Sequence, residues 1–215
     1  MTKNQRLRMT IDITMTILSI ILMGGNYLFP ADIVHEILGV GLFVLWILHI
    51  ILNRRWYGAI FRGKYNPYRL MQTVINCCIL ICTIFLMISG IILSNHIFTF
   101  LNIQGGLGFA RIAHLLASHW YYLFMSLHIG LHVGRLFQNI TAKIIPRIIL
   151  ALICAYGIYA FIARGVWKYL ILRQQFFFFD LDRGYILFAI DYISIIILFA
   201  TLSHLLAKSL KKGKL

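Results

Sequence analysis

The sequence predicts an all-α membrane protein with six transmembrane helices, four of them forming a core and two following it. Two observations predict this. Hydrophobic residues make up 61% of the 215 positions and charged residues only 12%, far less charge than a soluble surface carries. The apolar residues also fall into six runs, each near the roughly 20 residues that cross a bilayer. What remains is enough for short loops and no soluble domain.

The first run covers residues 9–29 and stops at Pro30. It follows Lys3, Arg6 and Arg8 but lacks a small-x-small cleavage site, so it reads as a retained span and not a removed signal peptide. The second run is 33–52 and the third 70–94. Residues 95–108 are mixed and glycine-rich, which predicts a loop with a short interfacial helix. The fourth run is 110–137, the fifth 144–162 and the sixth 185–207. There is no solenoid repeat, and the only low-complexity stretch is the four phenylalanines at 176–179.

The net charge is +14. In a soluble protein that would suggest nucleic acid, but here the cations sit between apolar runs, so topology explains them and no nucleic-acid partner is expected. With six spans, fifteen Lys and Arg fall on one side and five on the other. The crowded side holds the N-terminal group, the segment from Arg54 to Arg69, Arg135, Lys143, Arg147, and the tail from Lys208 to Lys214. The sparse side holds Arg111, Arg164, Lys168, Arg173 and Arg183. The positive-inside rule then places both termini in the cytoplasm. Cys77, Cys78, Cys82 and Cys154 lie in apolar runs and read as packing residues. No Cys-x-x-Cys-His occurs, which argues against covalent c-type haem.

The histidines carry the chemistry. His35 and His49 bracket the second run, fourteen residues apart. On a helix that spacing returns to within roughly 40° of the starting face over a rise of about 21 Å. His114 and His128 repeat the spacing on the fourth run. Both runs cross from outside to inside in this topology, so His35 matches His114 in depth and His49 matches His128. An imidazole facing lipid is costly, so intramembrane histidines face a bundle interior. Two matched pairs can clamp two b-type haems, one near each membrane surface, because haem b takes one imidazole on each side of its iron. The bland alternative is that the histidines tie helices together by hydrogen bonds. Gly39 and Gly41 lie between the second run's histidines. They either make room for a ring edge or let helices pack closely, and the sequence leaves both readings open.

The fourth run is over-supplied. His132 follows His128 by four residues and shares its face, so it is an alternative inner ligand. His119 points about 140° away from His114 and reads as a non-ligand. His96 and His204 read as ordinary interfacial residues. Arg111, three residues before His114, is a candidate partner for an outer haem propionate. Arg54, Arg55 and Arg135 are the inner candidates, against plain positive-inside charge. Asp191, inside the sixth run beside Tyr192, either relays protons or pairs with Arg164, and pairing is the better reading.

The stretch from Val34-His35-Glu36-Ile37-Leu38-Gly39 to Leu48-His49-Ile50-Ile51-Leu52-Asn53-Arg54-Arg55 resembles a known family. It is similar to the small bacterial di-haem membrane cytochromes b found beside flavinylated FMN-binding proteins, in the superfamily of formate dehydrogenase and hydrogenase cytochrome b subunits. His114-Leu115-Leu116 and Leu127-His128-Ile129-Gly130-Leu131-His132 fit the same pattern. The resemblance spans residues 9–137 and loosens over Tyr156-Gly157-Ile158-Tyr159-Ala160-Phe161 and Phe178-Phe179-Asp180. It implies a four-helix di-haem core over residues 1–140, with two further helices and a basic cytoplasmic tail over 141–215. It implies ligand roles for His35, His49, His114 and His128, a place in the bacterial inner membrane, and electron transfer from a quinone or cytoplasmic donor to an extracytoplasmic flavoprotein or other redox protein. No flavin-attachment motif of the Asp-x-x-Thr-Gly-Ala-Thr type is present, so any flavin belongs to another chain. Two other readings stand beside electron relay. One is an oxidoreductase acting directly on quinol or ferric iron. The other is a transporter or scaffold without haem.

Overall fold

The computed structural model describes residues 3–29, 31–179 and 184–212, with Asn26, Arg135 and Lys212 described by backbone alone. Pro30, Asp180, Arg183 and Lys214 therefore lie outside the described residues. The described residues form helices joined by turns, with no strand among them. In chain order these are α1 (Lys3–Leu22), α2 (Asp32–Leu52), α3 (Arg54–Ala59), α4 (Pro67–Leu93), α5 (Leu107–His132), α6 (Gly134–Ala142), α7 (Ile144–Ala163), α8 (Val166–Leu170) and α9 (Gly184–Lys212).

Four of these helices, α2, α4, α7 and α9, are long and apolar enough to cross a membrane. The other two expected spans, α1 and α5, are helices of 20 and 26 residues with more polar composition. In α1 the cause is Lys3, Arg6, Arg8 and Asp12 in its first half. In α5 it is four histidines, two serines and Arg111. Single-turn 3₁₀ segments follow α1 at Gly25–Leu28 and α4 at Thr99–Leu101, the latter inside the expected loop. Gly25 opens the first of these at φ +58°, a left-handed conformation that favours glycine.

The chain forms two units, Met1–Lys64 with Thr83–His114, and Tyr65–Cys82 with Leu115–Leu215. In the first unit the start of α1 meets the end of α2. Arg8 Nη2 donates to the Leu52 carbonyl at 2.7 Å. Asp12 lies one turn further along and pairs with His49. Glu36, in the second turn of α2, accepts four hydrogen bonds, from the Ser94 hydroxyl and the backbone N–H groups of Asn95, His96 and Ile97. The carboxylate thus ties the end of α4 to the residue beside His35. No residue of α2 is buried.

The second unit is built on α9. Gly157 of α7 lies so close that an added Cβ would stand 2.6 Å from the Ser194 carbonyl oxygen. Gly130 of α5 presents an equally bare surface to the Ala200 carbonyl, with a Cβ placed 2.2 Å from it. Small residues let helix backbones approach in a membrane, where apolar burial offers little drive to associate. Tyr122, 1% exposed, donates its hydroxyl to the Tyr192 carbonyl, and Trp120 Nε1 donates to Leu170 O at 3.1 Å. The expected fourth run is not one helix. The chain leaves α5 at Val133 (φ −89°, ψ 23°) and restarts as α6. Gly134 follows the break, a poor helix residue whose missing Cβ would sit 3.6 Å from the His204 ring.

Candidate functional site

His35 and His114 meet in the first unit. Their ring centres are 6.4 Å apart with planes at 61°. An imidazole nitrogen lies about 2.0 Å from a bound metal and about 1.2 Å from its own ring centre, so two rings on opposite sides of one ion have centres about 6.4 Å apart. An edge-on contact of two rings reaches the same separation. The hydrogen bonds bear on which it is. Ser89, 3% exposed, sits on α4 with its Oγ 2.6 Å from the Phe85 carbonyl and 3.0 Å from His114 Nδ1. A hydroxyl has one proton, and the shorter bond to the carbonyl takes it. His114 Nδ1–H must then donate to Ser89, which leaves the lone pair on Nε2. No hydrogen bond joins His35 to His114 among the described residues. His35 Nδ1 is buried, and although Gly25 is near enough to act on it, no partner of good geometry reaches it.

The same protonation pattern recurs at the other histidines of the two pairs. His49 Nδ1 lies 2.7 Å from Asp12 Oδ1. A carboxylate only accepts, so Nδ1 carries the proton, and in the neutral ring Nε2 holds the lone pair. His128 Nδ1 lies 2.8 Å from Asn76 Oδ1, an amide oxygen on α4, with the same consequence. A histidine that binds a metal through one nitrogen ordinarily donates the other N–H to such an oxygen, which fixes ring orientation and tautomer. His49 and His128 belong to different units.

His132 is the exposed last residue of α5, its ring 4.6 Å from that of His128. The neighbouring helix α4 orients His128 through Asn76. His119 does face away, as its spacing requires. It is 1% exposed, donates Nδ1–H to Leu115 O at 2.8 Å, and stacks on Tyr169 at 4.2 Å. His96 is exposed in the loop, and His204 stacks on Phe137 at 4.8 Å. Arg111, Arg54 and Arg55 are exposed, and the Arg135 side chain is outside the described residues. Gly39 and Gly41 have no atom within 4 Å of an added Cβ. Close packing against another helix among the described residues therefore does not account for them.

Asp191 pairs with Arg164, as the sequence favoured. Arg164 Nε is 2.7 Å from Asp191 Oδ2, with the two side chains 6% and 0% exposed. Tyr156 donates to Asp191 Oδ1 at 2.6 Å. Arg164 Nη2 has no partner among the described residues, but Arg164 lines a cavity of about 60 Å³, large enough for water.

The residues fit a haem on three counts. The donors are two imidazoles at the right separation, a buried imidazole nitrogen is orphaned on His35, and bare glycine surfaces lie on the ligand helix. Sequence reasoning missed Asp12, Asn76 and Ser89, which orient the rings. Their signal was a lone polar residue inside an apolar run, opposite a histidine. Among the described residues no three or more His, Cys, Asp or Glu cluster as in a metal centre held by protein alone, and a haem iron asks the protein for only two ligands. No family model matches the chain, and neither a curated protein nor a solved structure does.

Proposed function

We propose that the chain carries electrons across a bacterial cell membrane through two b-type haems, each held by two histidines. His35 and His114 hold the outer haem, His49 and His128 the inner one. One observation carries the reading. In His49, His114 and His128 alike, Nδ1 lies within hydrogen-bond distance of an oxygen on another helix, the arrangement that in a neutral ring assigns the proton to Nδ1 and the lone pair to Nε2. Helices tied together by ordinary histidine hydrogen bonds would not need the same tautomer at three positions.

The membrane setting follows the charge. α1, α2, α4, α5, α7 and α9 serve as six spans with both termini in the cytoplasm, which puts fifteen cations inside and five outside. The four histidines then fall in two layers. Haem b, when bound, supplies a one-electron carrier whose potential is set by its ligands and their hydrogen bonds. The chain's own side chains orient the imidazoles, and Arg111 is placed one turn before His114 to meet a propionate. Electrons come from a quinone or a cytoplasmic donor and leave to an extracytoplasmic flavoprotein or other redox protein.

The test is vectorial. Vesicles are loaded with ferricyanide and given dithionite outside. Those holding the purified chain are expected to reduce the interior ferricyanide faster than those holding His114→Ala. Equal rates for the two would contradict a path through both haems.

A further inference from the structure

The oxygens that receive the three Nδ1 protons are not alike. His114 donates to a hydroxyl and His128 to an amide, both neutral. His49 donates to a carboxylate. The chain has only six acidic residues, and none lies between Glu36 and Asp180. Placing one of the six on α1, a turn after the arginine that grips the end of α2, gives His49 a direct bond to a carboxylate where the Nδ1 partners of His114 and His128 are neutral.

We propose that Asp12 is a positioning residue that gives His49 imidazolate character and lowers the potential of the haem His49 holds. The proposal rests on the two-haem reading above. A carboxylate accepting from Nδ1–H draws that proton toward itself and enriches Nε2 in electron density. A richer donor, with a negative charge beyond it, stabilises the oxidised iron over the reduced iron. Hydrogen bonding to an axial ligand is one of the protein's means of setting a haem potential. Arg8, four residues earlier on the same face of α1, opposes this charge. Its guanidinium is bonded to the Leu52 carbonyl, and it is present in every variant compared here, so it offsets the baseline and not the difference.

The experiment is a spectropotentiometric titration of the purified, haem-loaded full chain, the haem of His49 being identified as the one missing from His49→Ala. Asp12→Asn keeps the shape and a hydrogen-bond acceptor but removes the charge. The midpoint of the His49 haem is expected to rise, its low-spin electron paramagnetic resonance signal to move, and the other haem to stay where it was. Asp12→Glu, which retains the carboxylate, is expected to return the midpoint toward the parent value. If Asp12→Asn releases the haem, the comparison is made with Asp12→Ser, in which the same rise is expected. Two haems with unmoved midpoints in the charge-free variants, or an equal shift at both haems, overturns the role of Asp12 and leaves the two-haem reading intact. A chain that takes up no haem overturns both.

Discussion

His114→Ala is expected to lower the haem content from two per chain to one while the protein remains folded. The ring it removes has its Nδ1 anchored 3.0 Å from Ser89 and its centre 6.4 Å from His35. No other histidine is placed to replace it. His119 is on the opposite face, stacked on Tyr169 with its Nδ1–H already donated to Leu115. His96 is in the loop, exposed. Haem extraction with quantitation per chain reads the result, and circular dichroism checks the fold. His35→Ala is expected to match it. Ser89→Ala is the milder companion, since losing the group that orients a ligand typically weakens metal binding by about 10–100-fold. Retention of both haems in His114→Ala would remove that residue from the ligand set. Loss of both with the fold retained would mean that the two haems do not sit in independent sites.

Asp191→Ala is expected to destabilise the second unit strongly. It strips the partner from an arginine that is only 6% exposed and also leaves the Tyr156 hydroxyl without its acceptor. Breaking a buried pair from one side costs about 3–5 kcal/mol, because the remaining charge stays uncompensated. For a chain of this length that corresponds to a fall of roughly 10 °C in melting temperature. The double change Asp191→Leu with Arg164→Leu is expected to recover most of the loss, since it leaves neither charge behind. Thermal unfolding in detergent, followed by intrinsic fluorescence, separates the variants. A single variant as stable as the parent would show that the pair contributes nothing to the fold.

How legible was this in the sequence? Composition and periodicity read the long helices well, because a helix in lipid must be apolar over its whole length. The second run, 33–52, corresponds to α2 at Asp32–Leu52, and the fifth, 144–162, to α7 at Ile144–Ala163. Hydropathy alone reads the break at Val133 poorly, because one irregular residue hardly changes an average taken over a whole span, and the flanking His132, Gly134 and Arg135 do not by themselves fix where a helix stops. The short helices α3, α6 and α8 were not foreseen. A five- to nine-residue helix is marginal by itself and exists through its tertiary contacts, which leave no period to detect.

At the site, the histidines were legible and their partners were not. Fourteen-residue spacing is a property of one helix and can be counted. The bonds from His49 to Asp12, His114 to Ser89 and His128 to Asn76 join residues 37, 25 and 52 positions apart. They depend on how helices rotate against each other, which local periodicity does not encode. The pairing of Asp191 with Arg164 was readable because a charge inside an apolar run demands a partner, and few cations lay at its depth. Glu36 was read only as part of a motif. Its hold on the start of the following loop depends on three consecutive backbone N–H groups turning toward it.

The central claim is that the histidine pairs bind haem. The most direct test is a reduced-minus-oxidised absorbance spectrum of the purified chain, expressed with sufficient haem and accompanied by a haem count. The account predicts the narrow α and β bands of low-spin, six-coordinate b-type haem at two per chain. A colourless protein that folds and stays in the membrane would contradict it, and the four histidines would then be ties between helices.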